Sequence, residues 1–189
     1  MVLNLGILIS GNGSNMLNIA KHCKNKSINC RIKIVLSNKE CEGIKKAKSK
    51  RLKSLVLKPK NFPNRQGYEQ RLSNILMENK VQLVCLAGYM LKLGKIFVQS
   101  WNRKIINIHP SLLPSFKGLN AQKQAYEKGV KFTGCTIHYV NSELDDGEIL
   151  DQRVVRISKD IKYEYLVKKI LLEEHKLYIN ILDKLSRGK

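Results

Sequence analysis

Apolar residues cluster in short runs that alternate with segments of helical spacing. Val2 to Ile9 is an apolar, β-rich run that stops at Ser10-Gly11-Asn12-Gly13. Beyond it Met16, Leu17, Ile19 and Ala20 fall at the spacing of one helix face. Arg31 to Leu36 reads as a second strand, closed by Ser37-Asn38, and a Lys-rich helix follows over 41–50. Ser54 to Leu57 is a short strand, and Gly67 to Glu78 is a helix through Tyr68, Leu72, Ile75 and Leu76. Gln82 to Ala87 is apolar enough for a buried strand, ended by Gly88. Ile105 to Ile108 repeats that pattern and ends at His109-Pro110. Phe132 to Val140 and Glu148 to Ile157 then read as two strands around a turn-rich loop, Asn141 to Gly147. Ile161 to Leu185 is a long amphipathic helix.

This order predicts an α/β chain with a mostly parallel, twisted sheet and helices on both faces. At 189 residues, without repeats or Pro/Gly-rich linkers, it predicts a single domain over 1–189. Ligands of open parallel sheets bind at the carboxyl ends of strands. Those ends are Gly11-Asn12-Gly13-Ser14-Asn15, Ala87-Gly88-Tyr89-Met90 and Asn107-Ile108-His109-Pro110, the least generic stretches of the chain.

Composition narrows the function. The hydrophobic share, 43%, is enough for a sizeable core, which argues against global disorder. No apolar stretch approaches the roughly 20 residues of a membrane helix. No basic segment precedes the first apolar run, so a secretory signal is not expected and the chain is read as cytoplasmic. The five cysteines include no C-x-x-C pair, and the four histidines complete no metal pattern, so reduced thiols and no metal are expected. The formal charge is +20, and residues 21–60 carry 14 Lys or Arg against Glu40 and Glu42. Such a surface attracts polyanions. That stretch holds no aromatic residue to stack on bases, and no nucleic-acid signature occurs, so steering of small anionic substrates is the preferred reading.

The first strand end is a candidate phosphate cradle. Glycines let the backbone approach a ligand, and the following helix offers unpaired N–H groups and partial positive charge. Ser14 is available to cap that helix or donate its hydroxyl. Met16 stands where a dinucleotide fingerprint needs its third glycine, and Gly-Lys-Ser/Thr is missing, so a phosphomonoester site fits better. At another strand end, continuation of the strand through 107–109 would put Asn107 and His109 on one side. An amide and an imidazole there can stabilise a carbonyl oxyanion. An acid is needed beside such a histidine, and Glu143, Asp145 and Asp146 are all candidates on these grounds. Gly-x-Ser-x-Gly does not occur, which favours direct transfer to an external amine over a covalent intermediate.

Four stretches together closely resemble the glycinamide ribonucleotide formyltransferase family, from about Leu5 to Tyr178: Ile9 to Asn15, Leu86 to Met90, Asn107 to Pro114 and Glu143 to Gly147. The resemblance implies transfer of the formyl group of 10-formyltetrahydrofolate to the amine of 5-phosphoribosylglycinamide, in purine biosynthesis. It implies catalytic roles for Asn107, His109 and Asp145, so choosing Asp145 among the three acids. It implies nucleotide contacts from Gly13, Ser14, Asn15, Pro110 and Glu174, and folate contacts from Arg65, Met90, Leu91, Lys92, Leu93 and Asn107. It implies a nucleotide-binding half over 1–100 and a catalytic and folate-binding half over 101–189. The implied partners are small molecules, with neither nucleic acid nor membrane, and the implied state is a monomer or homodimer.

Two places depart from the family pattern. Leu91-Lys92 reverses the usual order of a basic and then an aliphatic residue, and Leu171 stands where relatives can place a polar residue facing the nucleotide. Related folate enzymes share His-Pro-Ser-Leu-Leu-Pro. A tRNA-directed formyltransferase would carry a further tRNA-binding domain, and a formyltetrahydrofolate hydrolase an added regulatory one. A basic RNA-binding protein is the alternative of a different class.

Overall fold

The computed structural model describes residues 2–188. Its elements run β1 (Leu3–Ile9), α1 (Ser14–Lys24), β2 (Cys30–Ser37), α2 (Glu42–Ser49), β3 (Ser54–Val56), a 3₁₀ turn (Pro59–Asn61), α3 (Arg65–Glu78) and β4 (Leu83–Leu86). They continue through α4 (Lys95–Ser100), β5 (Ile105–His109), α5 (Ala121–Glu127), β6 (Phe132–Tyr139), β7 (Ile149–Arg156) and α6 (Tyr163–Ser186). Every strand expected from the apolar runs is present, within two residues at each end. The short helices α4 and α5 were not expected.

The strands form one seven-stranded sheet in the order β3-β2-β1-β4-β5-β6-β7. β1 to β5 pair in parallel, whereas β5–β6 and β6–β7 pair antiparallel. Strand alternation splits the core in two. Leu5, Ile7 and Ile9 face the side covered by α1, α2 and α6, where Met16, Ile44, Ile170 and Leu177 are buried. Leu8 faces the side covered by α3 and α4, with Leu72, Leu76 and Phe97. Strand order reverses between β1 and β4, since the chain moves outward through β2 and β3 before returning. Such a reversal opens a crevice at the carboxyl ends of the central strands. The β1–α1 turn, the segment after β4 and the end of β5 meet at that end of the sheet.

Among the described residues no helix is long and apolar enough to cross a membrane. All five cysteines are free thiols. No cluster of three or more His, Cys, Asp or Glu side chains among the described residues is arranged to hold a metal ion.

Candidate active site

The β1–α1 turn is shaped by Gly13, which has φ of +69°. A side chain there would meet both the left-handed backbone and Gly43 of α2, whose Cα lies 2.9 Å from the Cβ position. The Gly43 amide donates to Gly11 O at 2.9 Å, so α2 backs the turn. The first helical backbone bond of α1 is Leu17 N–H to Gly13 O. The amides of Ser14, Asn15 and Met16 precede it, as an anion site at a helix N-terminus requires. Gly13, not Ser14, is the N-cap, and no side chain caps this end. The expected capping role of Ser14 is therefore corrected: a left-handed glycine already turns the chain, and Ser14 is the first helical residue.

Asn15 is 6% exposed. Its Nδ2 donates to Glu174 Oε2 of α6 at 2.8 Å, while its Oδ1 is buried without a partner. Glu174 is buried too, and desolvation pushes its carboxyl up to about 7 against the opposing Asn15 bond. A buried amide oxygen with no protein partner and a buried carboxyl of raised pKa thus sit together at the start of α1.

The segment after β4 is tied to this turn. Ser10 Oγ donates to Asn38 Oδ1 at 2.7 Å and accepts from Met90 N–H at 2.8 Å. Met90 is exposed, Leu91 half-buried, Lys92 exposed and Leu93 buried among Phe97 and its neighbours. Leu93 thus offers a ligand its backbone, not its side chain. Arg65 begins α3, which Asn64 caps by accepting from Gly67 N–H at 2.8 Å. This start lies two residues ahead of the expected helix. The Arg65 guanidinium donates to Glu69 and to Lys92 O.

β5 extends through His109, so Asn107 and His109 share a face and both approach Asp145. Asp145 Oδ2 lies 3.3 Å from His109 Nδ1 and accepts from Gly118 N–H at 2.8 Å. Its Oδ1 accepts from Asn107 Nδ2 at 3.5 Å. His109 is 5% exposed, and its Nε2 stands 2.8 Å from Phe116 O. Asp145 has φ of +48°, and this left-handed step lets the loop return its carboxylate to the sheet. Burial opposes ionisation of Asp145, but the adjacent His138 ring, the Gly118 amide and His109 together hold its carboxyl below the usual range. Glu143 and Asp146 point elsewhere: Glu143 is exposed and Asp146 pairs with Lys117. Pro110, half-buried, opens the loop that wraps His109.

One member of the cluster is absent from the sequence reading. His138 of β6 stands opposite Asn107 in the β5–β6 ladder, with Nε2 3.2 Å from Asn107 Nδ2. Its Nδ1 is 2.9 Å from Tyr139 O and its Nε2 is 3.7 Å from Asp145 Oδ1. The alternation of Phe132 to Val140 carries the signal, because His138 takes the polar parity in a strand whose other parity is buried Cys135 and Ile137. The cluster combines amide, imidazole and carboxylate at one strand end, which suits stabilisation of a developing oxyanion coupled to proton movement.

Known proteins carry the same framework. The model of the formyl transferase family matches residues 3–182. The human trifunctional purine biosynthetic protein adenosine-3 is 39% identical over 185 residues, 97% of this chain but 18% of that protein. The chain therefore spans under a fifth of that relative. Phosphoribosylglycinamide formyltransferase from Anaplasma phagocytophilum is 44% identical with a TM-score of 0.92, covering 100% of this chain and 88% of the other. Glycinamide ribonucleotide transformylase 1 from Symbiobacterium toebii is 37% identical with a TM-score of 0.95, covering 99% and 89%. The family match over nearly the whole length, with solved relatives superposing along almost all of both chains, places this chain in the formyl transferase family, among the phosphoribosylglycinamide formyltransferases.

Proposed function

We propose that the protein transfers the formyl group of 10-formyltetrahydrofolate to the amine of 5-phosphoribosylglycinamide, giving the N-formyl nucleotide and tetrahydrofolate. The observation that carries this reading is the convergence of Asn107, His109 and Asp145 at the end of β5.

The phosphate of the nucleotide is placed on the amides of Ser14 to Met16 at the Gly13 turn, with Asn15 and Glu174 turned to its ribose. Pro110 lines the way from there to His109. The folate lies along Met90 to Leu93, with Arg65 toward its carboxylate tail and Asn107 at the transferred group. The proposed halves contribute unequally. Residues 1–100 hold the phosphate turn together with Arg65 and Met90 to Leu93, so folate binding is shared with 101–189, which holds the catalytic trio and Glu174. Because Leu93 is buried and Lys92 exposed, the reversed order at 91–92 is compatible with recognition through the backbone. Leu171 is half-buried on α6 and offers the nucleotide no polar group.

In the reaction the neutral amine attacks the formyl carbon, and the carbonyl electron pair moves to oxygen. The Asn107 amide turns onto that oxygen the N–H that otherwise points to Asp145 Oδ1 at 3.5 Å. His109 joins it by turning Nε2–H from Phe116 O while Nδ1 stays on Asp145. Asp145, acting through water, takes a proton from the attacking nitrogen and delivers it to the folate nitrogen as the carbon–nitrogen bond to folate breaks. Each oxyanion donor supplies on the order of 10²–10³ in rate.

The activity is placed in the cytosol, with two small-molecule substrates, no nucleic-acid partner and either a monomer or a homodimer as the working state. A spectroscopic assay with a 10-formyl folate, with and without phosphoribosylglycinamide, tests the reading. Turnover that requires the nucleotide supports it. Deformylation without the nucleotide would make the protein a hydrolase, and no turnover by folded protein would remove the reading.

A further inference from the structure

Glu69 lies on α3, outside the catalytic cluster, and is 7% exposed. A buried carboxylate needs partners, and two donors supply them. Its Oε1 accepts from Gly94 N–H at 2.6 Å and from Arg65 Nε–H at 2.8 Å. Arg65, half-exposed at the start of the same helix, also donates to Lys92 O. The segment from Met90 to Gly94 is therefore fastened twice. Ser10 Oγ holds the Met90 amide at one end, and Glu69 with Arg65 holds Lys92 and Gly94 at the other. Gly94 is what allows this approach, because a Cβ there would stand 2.5 Å from Glu69 Oε2.

We propose that Glu69 is a positioning residue for the folate site: by clamping Gly94, and Lys92 through Arg65, it fixes the peptide groups of 91–93 that receive the folate. This rests on the folate assignment of the preceding section. Two observations favour a role beyond an ordinary i, i+4 helix pair. The carboxylate reaches across to a different segment. That segment turns Leu93 into the core, packs Leu91 partly against it and leaves Met90 and Lys92 exposed, so rigid recognition of a planar ring edge falls to its backbone N–H and C=O groups. The exposed side chain at 92 then matters less than the fastening of the segment. The same geometry divides the work of Arg65. Its Nε and one terminal nitrogen are committed to the protein, which leaves the other terminal nitrogen for an anionic tail.

Glu69→Gln keeps the side-chain shape and one acceptor oxygen for both Gly94 and Arg65, but it removes the negative charge that strengthens the two bonds. Gly94→Ala pushes the unaltered carboxylate away instead. In both variants KM for the 10-formyl folate, and Kd measured by fluorescence titration, should rise roughly tenfold or more, with kcat and the KM for the nucleotide within about twofold. The double variant should be no worse than the weaker-binding single variant, because both changes weaken the same Glu69–Gly94 fastening. Unchanged folate binding in either folded variant overturns the proposal. So does a parallel loss of kcat, both KM values and thermal stability, which marks a merely structural residue. Wild-type protein that neither binds nor turns over the folate overturns the functional reading itself, a result distinguishable from either.

Discussion

Asn107 and His138 face each other across the β5–β6 ladder, and their side chains meet at 3.2 Å. With Nδ1–H directed at Tyr139 O, the His138 ring sets Nε2 beside both the Asn107 amide and Asp145 Oδ1. The plane of the Asn107 amide is thereby set. His138→Ala should lower kcat by about tenfold, the scale of one hydrogen bond, with both KM values nearly unchanged. Steady-state kinetics at saturating concentrations of each substrate checks this, and a wild-type kcat would remove His138 from the positioning of Asn107.

The carboxylate of Asp145 links His109 to the loop amide of Gly118. Asp145→Asn keeps an acceptor for Gly118 but loses the charge opposite His109, and kcat should fall by on the order of 10² or more. Stability should respond in the other direction at low pH. The folded-state pKa of Asp145 is depressed, so its contribution is present above the unfolded value near 3.8 and is lost as pH falls through the folded one. The stability advantage of wild type over Asp145→Asn should therefore shrink on acidification below about pH 4. Thermal unfolding of the two proteins across that range measures it, and a constant difference would mean that the carboxylate charge is not stabilised by its neighbours.

Glu174 presents the opposite sign. Its folded-state pKa is raised from 4.5 to about 7, so the native state holds its proton more firmly than the unfolded chain. The associated stability is present below about 4.5 and is lost as pH rises through 7. Glutamine mimics the protonated form and retains the acceptor for Asn15. Without ligand, Glu174→Gln should match wild type near pH 4.5 and exceed it at pH 8 by on the order of 3 kcal/mol. Chemical denaturation at the two pH values checks this, and a pH-independent difference would contradict it.

Gly147 closes the loop that carries Asp145. A Cβ at this position would stand 1.6 Å from Tyr139 O and 3.3 Å from His138 Nδ1. Gly147→Ala must displace the loop, so we expect a loss of about 1–3 kcal/mol in stability together with a reduced kcat. Full activity at wild-type stability would show that the loop tolerates a shift without moving Asp145.

The sheet and its site were unequally legible in the sequence. The buried strands announce themselves because β1, β4 and β5 are apolar runs stopped by Gly or His-Pro, and burial on both faces demands that composition. The Asn107–His109 pair followed from strand alternation alone. α4 and α5 were not legible: they have six and seven residues, with too few buried positions to show a helical period. Asp145 could not be separated from Glu143 and Asp146 by composition, since the choice depends on the positive φ at 145 and on the Gly118 amide. His138 was missed because it joins Asn107 only through an antiparallel register 31 residues away. Ser14 matched the chemistry of a cap, but the left-handed Gly13 took that position.

The central claim is that the end of β5 carries the transfer chemistry, and Asn107→Ala tests it most directly. The side chain is half-buried and bonded within the site rather than packed in either core. Its removal should lower kcat for formyl transfer to phosphoribosylglycinamide by on the order of 10²–10³, with a thermal midpoint close to wild type. Transfer at the wild-type rate by the folded variant would contradict the account.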